Sequence, residues 1–131
     1  MEDNAVASTQ DIRKVLGQVL FRGSDVDKKI ALLSGGESAR LVIAKLMLEK
    51  NNVLILDEPT NHLDLESIDA LIESLKAFPG TVLFVSHNRH FIDNLSNRVL
   101  VLTERYGAQN YLGNYNDYLD QFGKDYLASA T

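Results

Sequence analysis

Two pairs of reactive side chains stand directly after apolar stretches in this sequence. Asp57-Glu58 follows the apolar run at 53–56, and Ser86-His87 follows the run at 81–85. In an open parallel sheet, ligands bind outside the carboxyl ends of the strands, so both pairs are candidate site residues. Adjacent carboxylates suit metal-assisted phosphoryl transfer, because one can hold Mg²⁺ through water while the next orients the attacking water. The alternative is that these acids only solvate a loop or cap the following helix.

A pair of glycines at a predicted helix start indicates a phosphate contact. Ser34 and Glu37 have the spacing of a capping box, with Gly35 and Gly36 between them. The glycines leave backbone N–H groups bare and allow a phosphate to approach closely, while the helix dipole favours its negative charge. An ordinary capping box requires only the serine and the glutamate, and glycine weakens a helix start. The pattern therefore favours an anion-binding function over capping alone.

Alternating strands and helices must position these residues. The apolar run at 53–56 predicts a strand covered on both faces, and Asp64 predicts the N-cap of a helix from Leu65 to about Phe78. With the strand at 81–85, this makes a βαβ unit with parallel strands. The buried stripe of the central helix is predicted to be Ile68, Leu71, Ile72 and Leu75.

The remaining periodicity predicts flanking elements. We expect helices over 10–21, from near Gly35 to the Lys50-Asn51-Asn52 that ends it, and over 89–95. The second of them is apolar nearly all round and therefore mostly buried. A third strand is expected at 98–102, then an edge strand at 108–111 and an aromatic-rich helix over 114–128. The strands at 53–56, 81–85 and 98–102 are expected to pair in parallel, with Asp57 and His87 at the same edge.

Composition excludes several classes of function. The net charge of −5, from 13 basic and 18 acidic residues, gives no electrostatic footprint for nucleic acid or an anionic membrane surface. No apolar run approaches the length of a membrane span. Without cysteine, disulfides, thiolate metal sites and thiol nucleophiles are excluded. The acidic N-terminus is unlike a secretory signal, so we expect a cytoplasmic protein with neither a membrane nor a direct nucleic-acid partner.

Four motifs together resemble those of the ATP-binding-cassette (ABC) ATPases. Leu33–Glu37 resembles the family's signature motif, and Val53–Glu58 its Walker B strand with the catalytic glutamate. Asn61–Asp64 resembles the D-loop, and His87 the switch histidine. The four occur in the family's order and at its approximate spacing, which makes the combination specific although each motif alone is weak.

Two longer stretches resemble the F subfamily in particular. They are Asp57–Asp64 and the late run Leu112–Tyr118. That subfamily carries two cassettes in one chain, lacks membrane domains and in many cases acts on ribosomes. The resemblance covers roughly residues 10–122 and is best to the second cassette. It implies ATP and Mg²⁺ as cofactors, and a second cassette and the ribosome as partners.

The resemblance also implies a role for each site residue. Ser34, Gly35 and Gly36, in a motif that Glu37 completes, would hold the γ-phosphate of ATP bound to the opposing cassette. Asp57 would serve Mg²⁺ through water, and Glu58 would be the general base or water-positioning group. Asp64 would communicate across the dimer interface. The switch histidine, His87, would contact the γ-phosphate and stabilise the transition state. Glu58 and His87 are thus the implied catalytic residues.

The sequence departs from the family at three points. The Gly-x-x-x-x-Gly-Lys-Ser/Thr phosphate loop, Walker A, does not occur. The family's upstream aromatic residue and Gln loop are also missing. The family's order places the strand that leads into Walker A between the second and third strands, so its absence would leave a gap in the sheet. Asn88 stands where aspartate usually follows the switch histidine, which removes a charge that could orient His87. Without the phosphate loop the β- and γ-phosphates have no strong cradle, so we expect the chain alone to bind ATP weakly and to hydrolyse little of it.

The resulting fold prediction is α/β, a partial P-loop NTPase core with parallel strands and part of the helical subdomain. Residues 1–131 would be the C-terminal part of one nucleotide-binding domain, with about 10–50 from the helical subdomain. Residues 51–131 would supply the Walker B, D-loop and switch-histidine part and a C-terminal helix. Two alternatives stay open: a fragment of a transporter ATPase subunit, and a non-catalytic module that offers its signature face to a partner cassette.

Overall fold

A computed structural model describes residues 8–19, 21, 23, 29 and 35–123. The chain divides into two compact units, Met1–Phe84 and Val85–Thr131. Its elements in chain order are α1 (Thr9–Gln18), α2 (Gly35–Leu48), β1 (Val53–Asp57), α3 (Leu65–Lys76), β2 (Thr81–Val85), α4 (Arg89–Leu95), β3 (Arg98–Thr103), β4 (Gly107–Leu112) and α5 (Tyr115–Phe122). Across the described ranges, no helix is both long and apolar enough to cross a membrane.

The first unit contains helices α1, α2 and α3, which contact one another. A capping box begins α1: the Ser8 side chain accepts from the Asp11 amide at 3.1 Å, and the Asp11 carboxylate accepts from the Ser8 amide. The core of the unit is apolar and draws on both strand and helix side chains, including Leu16, Val19, Phe21, Ile43, Ala44, Leu54, Leu56, Ile68, Leu71, Ile72 and Leu75. The predicted buried stripe of α3 is therefore confirmed.

Strands β1 and β2 are neighbours in a two-stranded parallel sheet, joined through α3. Leu54 and Leu56 are buried, whereas Val53 and Ile55 are 52% and 74% exposed. The prediction that this strand is covered on both faces is wrong for the described structure. An apolar run shows that both faces can be buried, but it does not supply the element that packs on the second face.

The prediction of a mostly buried α2 is also wrong in part. Ile43 and Ala44 are buried, but Val42 is 57% exposed. One side of this helix packs on the first unit's core, and another side is bare.

The second unit contains α4, a β-hairpin and α5. Strands β3 and β4 pair antiparallel, in a register that runs from Arg98 opposite Leu112 to Thr103 opposite Gly107. The three strands do not form one paired sheet: the described strands form two separate two-stranded sheets. The expected parallel pairing of β3 is therefore wrong, whereas a break between the second and third strands was expected from the missing strand. The short turn at 104–106 allows only antiparallel pairing of β3 with β4, since a parallel neighbour needs a long crossover.

The C-terminal helix is shorter than predicted within the described residues. α5 ends at Phe122, and Gly123 follows with φ 64°, a left-handed C-cap that glycine adopts without steric cost. The rest of the predicted helix, residues 124–128, lies outside the described residues.

Candidate functional site

The two carboxylates predicted to do chemistry lie where β1 ends. Asp57 is the last residue of the strand and is exposed, while Glu58 is half-buried. Glu58 has φ 46°, in the left-handed region, and its carbonyl accepts a hydrogen bond from the Asn61 amide at 3.2 Å. A left-handed backbone costs a residue other than glycine about 1–2 kcal/mol. Such strain persists where the surrounding structure imposes it, often at functional sites, and no feature of the sequence predicted it here.

The turn after Glu58 leads into α3 through a second left-handed residue. The Leu63 amide donates to the carbonyl of buried Thr60 at 3.2 Å, and His62 has φ 64°. Asp64 then caps α3 by accepting a hydrogen bond from the Ser67 amide at 2.9 Å. The prediction of this N-cap is confirmed.

The electrostatics of Asp64 follow from that cap. Hydrogen bonds from the side chain and the amide of Ser67, together with the positive charge of Arg40, hold the pKa of the Asp64 carboxyl below its ordinary value. The carboxylate is therefore ionised at neutral pH. Its expected role across a dimer interface remains a prediction.

An open groove of about 340 Å³ brings α2 and the carboxylates together in the first unit. Its lining combines apolar and polar side chains: Ala39, Val42, Ile43, Leu46, Ile55, Leu56, Asp57, Glu58, Pro59 and Asn61. Ala39 lies about one helical turn after Gly35, the first residue of α2. The acidic pair thus faces the same groove as the helix that the two glycines begin.

The predicted phosphate-contacting motif is described only in part. Gly35 and Gly36 are the first two residues of α2, and Glu37 is a half-buried acid in its first turn. Ser34 lies outside the described residues, and so does the predicted capping box that depends on it.

Sequence reasoning missed Arg40, one turn further along α2. Its Nη1 donates to the backbone carbonyl of Val19 at 3.1 Å, and its guanidinium lies 5.2 Å from the centre of the Phe21 ring. Arg40 therefore joins α2 to the end of α1 and also acts electrostatically on Asp64. These partners are far away in the sequence, so no local pattern could have identified the contact.

The switch-histidine candidate belongs to the second unit. His87 is exposed, and two side-chain-to-backbone hydrogen bonds fix the chain around it. The hydroxyl oxygen of buried Ser86 accepts from the Asn88 amide at 3.1 Å. The Asn88 side chain caps α4 by accepting from the Phe91 amide at 2.9 Å.

Asn88 thus performs the capping that an aspartate at this position would perform, although without the charge. Asparagine is among the preferred N-cap residues, so its place before the predicted helix at 89–95 was a signal that the sequence contained.

The described carboxylates fit Mg²⁺ only as partial ligands. Over the parts of the chain that are described, no group of three or more His, Cys, Asp or Glu side chains could hold a metal ion. Mg²⁺ in nucleotide sites is commonly held by one or two carboxylates, several waters and the substrate phosphates. An exposed Asp57 at the end of β1 is compatible with that kind of site, in which most ligands come from water and ATP.

Comparison with known proteins shows clear similarities. Residues 2–61 match the sequence model of the family described as "ABC transporter". The chain is 54% identical over 112 residues to the putative ATP-binding protein YdiF of Bacillus subtilis, covering 86% of this chain and 17% of YdiF. It is 44% identical over 111 residues to ABC transporter F family member 2 of Arabidopsis thaliana, covering 85% and 16% respectively.

A third relative has a name that describes an activity. The chain is 41% identical over 119 residues to the energy-dependent translational throttle protein EttA of Mycobacterium tuberculosis, covering 91% of this chain and 21% of EttA. The chain therefore spans about a fifth or less of the length of these relatives.

Proposed function

Because this chain belongs to the ABC ATPases and is similar to their F subfamily, we propose that it is part of a nucleotide-binding domain that hydrolyses ATP with Mg²⁺. Hydrolysis would be coupled to closure against a second cassette. The observation that carries this proposal is the position of Asp57 and Glu58 at the carboxyl end of β1, in one groove with the helix that begins at Gly35. Residues of about 10–50 would belong to the helical subdomain and 51–131 to the ATPase core.

Each residue would have a distinct role in this proposal. Asp57 would hold Mg²⁺ through water, and the ion would supply positive charge to offset the charge that develops on the phosphate oxygens. Glu58 orients the attacking water and accepts its proton. His87 donates a hydrogen bond to the γ-phosphate, where charge develops in the transition state.

The signature residues would act in trans. Ser34, Gly35 and Gly36, together with Glu37, face the ATP of the opposing cassette, where bare N–H groups at a helix start favour a phosphate. Asp64, ionised and fixed as the cap of α3, lies close enough to α2 to feel the charge of Arg40. The role proposed for Asp64, communication between the cassettes, rests on the resemblance of Asn61–Asp64 to the D-loop.

The biological setting that we propose is ribosome-associated translation control in the cytoplasm. The support is the similarity to EttA, a protein named as a translational throttle, and to other F-family proteins. A transporter ATPase subunit is the weaker alternative, since the curated relatives named above include F-family members at 41–44% identity.

The alternative from a different class of function is a non-catalytic module. The phosphate-loop motif does not occur in the 131 residues. A non-catalytic module that supplies a signature face to a partner cassette would not need that motif.

A chimera with YdiF separates the two functions. The YdiF segment aligned with this chain is replaced by the corresponding residues, and ATP binding and hydrolysis are measured for the chimera, unmodified YdiF and the isolated chain. We expect little hydrolysis by the isolated chain and hydrolysis by the chimera at a rate comparable with that of YdiF.

Two results would contradict the proposal. If YdiF hydrolyses ATP and the chimera binds ATP without hydrolysing it, the chain is a non-catalytic module. Robust hydrolysis by the isolated chain would show that it holds a phosphate site other than the one proposed.

A further inference from the structure

The run Leu112–Tyr118 has no part in the chemistry described above, yet its residues form a defined structure. Gly113 has φ 113°, and a Cβ atom there would lie 2.7 Å from a carboxylate oxygen of Asp117. That carboxylate accepts from the Asn114 amide at 2.8 Å, while the Asn114 side chain accepts from the Asp117 amide at 2.9 Å. Glycine is therefore required next to a reciprocal cap that fixes the start of α5.

The two tyrosines of this run anchor an aromatic cluster. Tyr115 and Tyr118 are both buried, with their ring centres 5.8 Å apart and the rings stacked. Tyr118 also lies 5.0 Å from Tyr111 of β4 and 5.2 Å from Phe122. Such ring pairs contribute stability beyond their buried area, so the cluster gives α5 a fixed position on the hairpin.

Arg89 connects the aromatic cluster to the residues around His87. The Arg89 guanidinium lies 5.1 Å from the centre of the Tyr115 ring, within range of a cation–π interaction. Arg89 is the first residue of α4 and follows Asn88, the cap that fixes the chain beside His87. The Phe91 amide donates to the Asn88 side chain, and Phe91 itself is fully buried.

We propose that Tyr115, acting through Arg89, is a positioning residue for His87. The relevance to catalysis rests on the role proposed for His87 above. The Tyr115 ring on α5 contacts the Arg89 guanidinium and so restricts the first turn of α4. Asn88, the N-cap of that turn, is bonded directly to His87, so the restriction extends to the histidine. The run Leu112–Tyr118 then has a function: it fixes the direction of the switch histidine from outside the nucleotide site.

The test uses nuclear magnetic resonance on the 131-residue chain. Two quantities are measured: hydrogen exchange of the Phe91 amide and ¹³C relaxation of the His87 imidazole. Arg89→Met removes the cation while keeping a long side chain at an exposed position. We expect amide exchange to accelerate about two- to fivefold, as loss of an exposed cation–π contact allows, with a larger amplitude of imidazole motion.

A matched control lies in the same unit. The Arg105 guanidinium is also 5.1 Å from the centre of a tyrosine ring, that of Tyr106, in the turn between β3 and β4. Arg105→Met should leave both His87 quantities unchanged. Arg89→Lys and Tyr115→Phe, which keep a cation and a ring face, should return them close to the wild-type values.

The proposal is overturned if Arg89→Met leaves Phe91 exchange and His87 motion at wild-type values, or if Arg105→Met changes them equally. Tyr115→Leu should reproduce the effect of Arg89→Met. If Tyr115→Leu prevents folding because Tyr115 is buried, Arg89→Met, at an exposed position, still tests the proposal. Neither readout requires nucleotide, so a failure of this proposal can be distinguished from a failure of the proposed ATPase function.

Discussion

The guanidinium of Arg40 donates a hydrogen bond from Nη1 to the backbone carbonyl oxygen of Val19, across 3.1 Å. Val19 is 1% exposed, so this carbonyl lies in the core of the first unit just after α1. The same guanidinium lies over the buried Phe21 ring. Arg40 therefore links the helix that begins at Gly35 to the segment that precedes it.

Arg40→Met should lower the free energy of unfolding by about 1.5–3 kcal/mol, because a buried carbonyl loses its charged donor. Arg40→Lys should restore only part of the loss, since an ammonium lacks the planar geometry of the guanidinium. Urea denaturation measures both changes. Lys45→Met, an exposed substitution on the same helix, is the control and should change stability by less than about 0.5 kcal/mol. Equal effects at the two positions would contradict the assignment.

The cap at Asp64 gives the chain a pH-dependent stability. The pKa of Asp64 is lowered by its hydrogen bonds from Ser67, and that of Asp11 by its bonds from Ser8. A carboxyl whose pKa is lower in the folded state stabilises the fold fully above its unfolded-state pKa of about 3.9. That contribution is lost as the pH falls through the lower folded-state value.

We therefore expect Asp64→Asn to keep the cap, since the asparagine side chain also accepts a hydrogen bond from a backbone amide. Below about pH 4 this variant should lose less stability than the wild-type chain does. Urea midpoints measured between neutral and acidic pH give the dependence. Asp120→Asn removes an exposed carboxylate that caps no helix and serves as the control. An acid dependence unchanged in Asp64→Asn would contradict the role of this carboxyl.

The bare face of β1 should make the isolated chain self-associate. Val53, Ile55 and Leu83 are exposed apolar side chains of the two-stranded sheet, and contiguous apolar patches promote association. Ile55→Lys should reduce association in sedimentation experiments with little loss of stability, because a charged side chain opposes pairing of exposed strands. Leu65→Lys, at an exposed position on α3, should reduce it less. A wild-type chain that stays monomeric at high concentration would contradict this prediction.

The sequence predicted the elements better than their partners. The helix after Asp64 was predictable because a local cap and a 3.6-residue apolar stripe agree, and the structure has both. The exposed face of Ile55 was not predictable, because an apolar run does not reveal what packs on it. The pairing of β3 with β4 depends on the turn at 104–106, which was not predicted to form a hairpin.

For the candidate site, the sequence offered residues but no geometry. Motif resemblance proposed Asp57, Glu58 and His87, and their roles remain predictions. Neither the left-handed backbone of Glu58 nor the contact between Arg89 and Tyr115 has a local sequence signature, since each is imposed by tertiary structure.

Gly36→Asp tests whether the signature acts in trans. A carboxylate there would face the γ-phosphate, and two like charges about 4 Å apart repel by roughly 4 kcal/mol at an effective dielectric of 20. In the YdiF chimera, closure and hydrolysis should fall by about three powers of ten. Thermal stability and ATP binding by the cassette that carries the change should be preserved. If Gly36 only begins a capped helix, the aspartate is favourable to the dipole and closure is unchanged.

Gly17→Asp is the matched control for that substitution. It adds the same carboxylate in α1, where no described atom beyond the neighbouring residues and the helix's own backbone lies within 4 Å of the position of a new Cβ. Closure and hydrolysis should stay near the values of the unsubstituted chimera. Equal losses at the two glycines would point to helix destabilisation and not to a phosphate contact.

The most direct measurement is single-turnover hydrolysis of ATP by the chimera with Glu58→Gln. Removing the group that orients and deprotonates water should slow the step by about 10²–10⁴-fold while ATP binding is retained. Glu66→Gln, the same change at an exposed acid in the first turn of α3, should leave the rate unaltered. A Glu58→Gln chimera that hydrolyses ATP as fast as the Glu66→Gln control would contradict the proposed function.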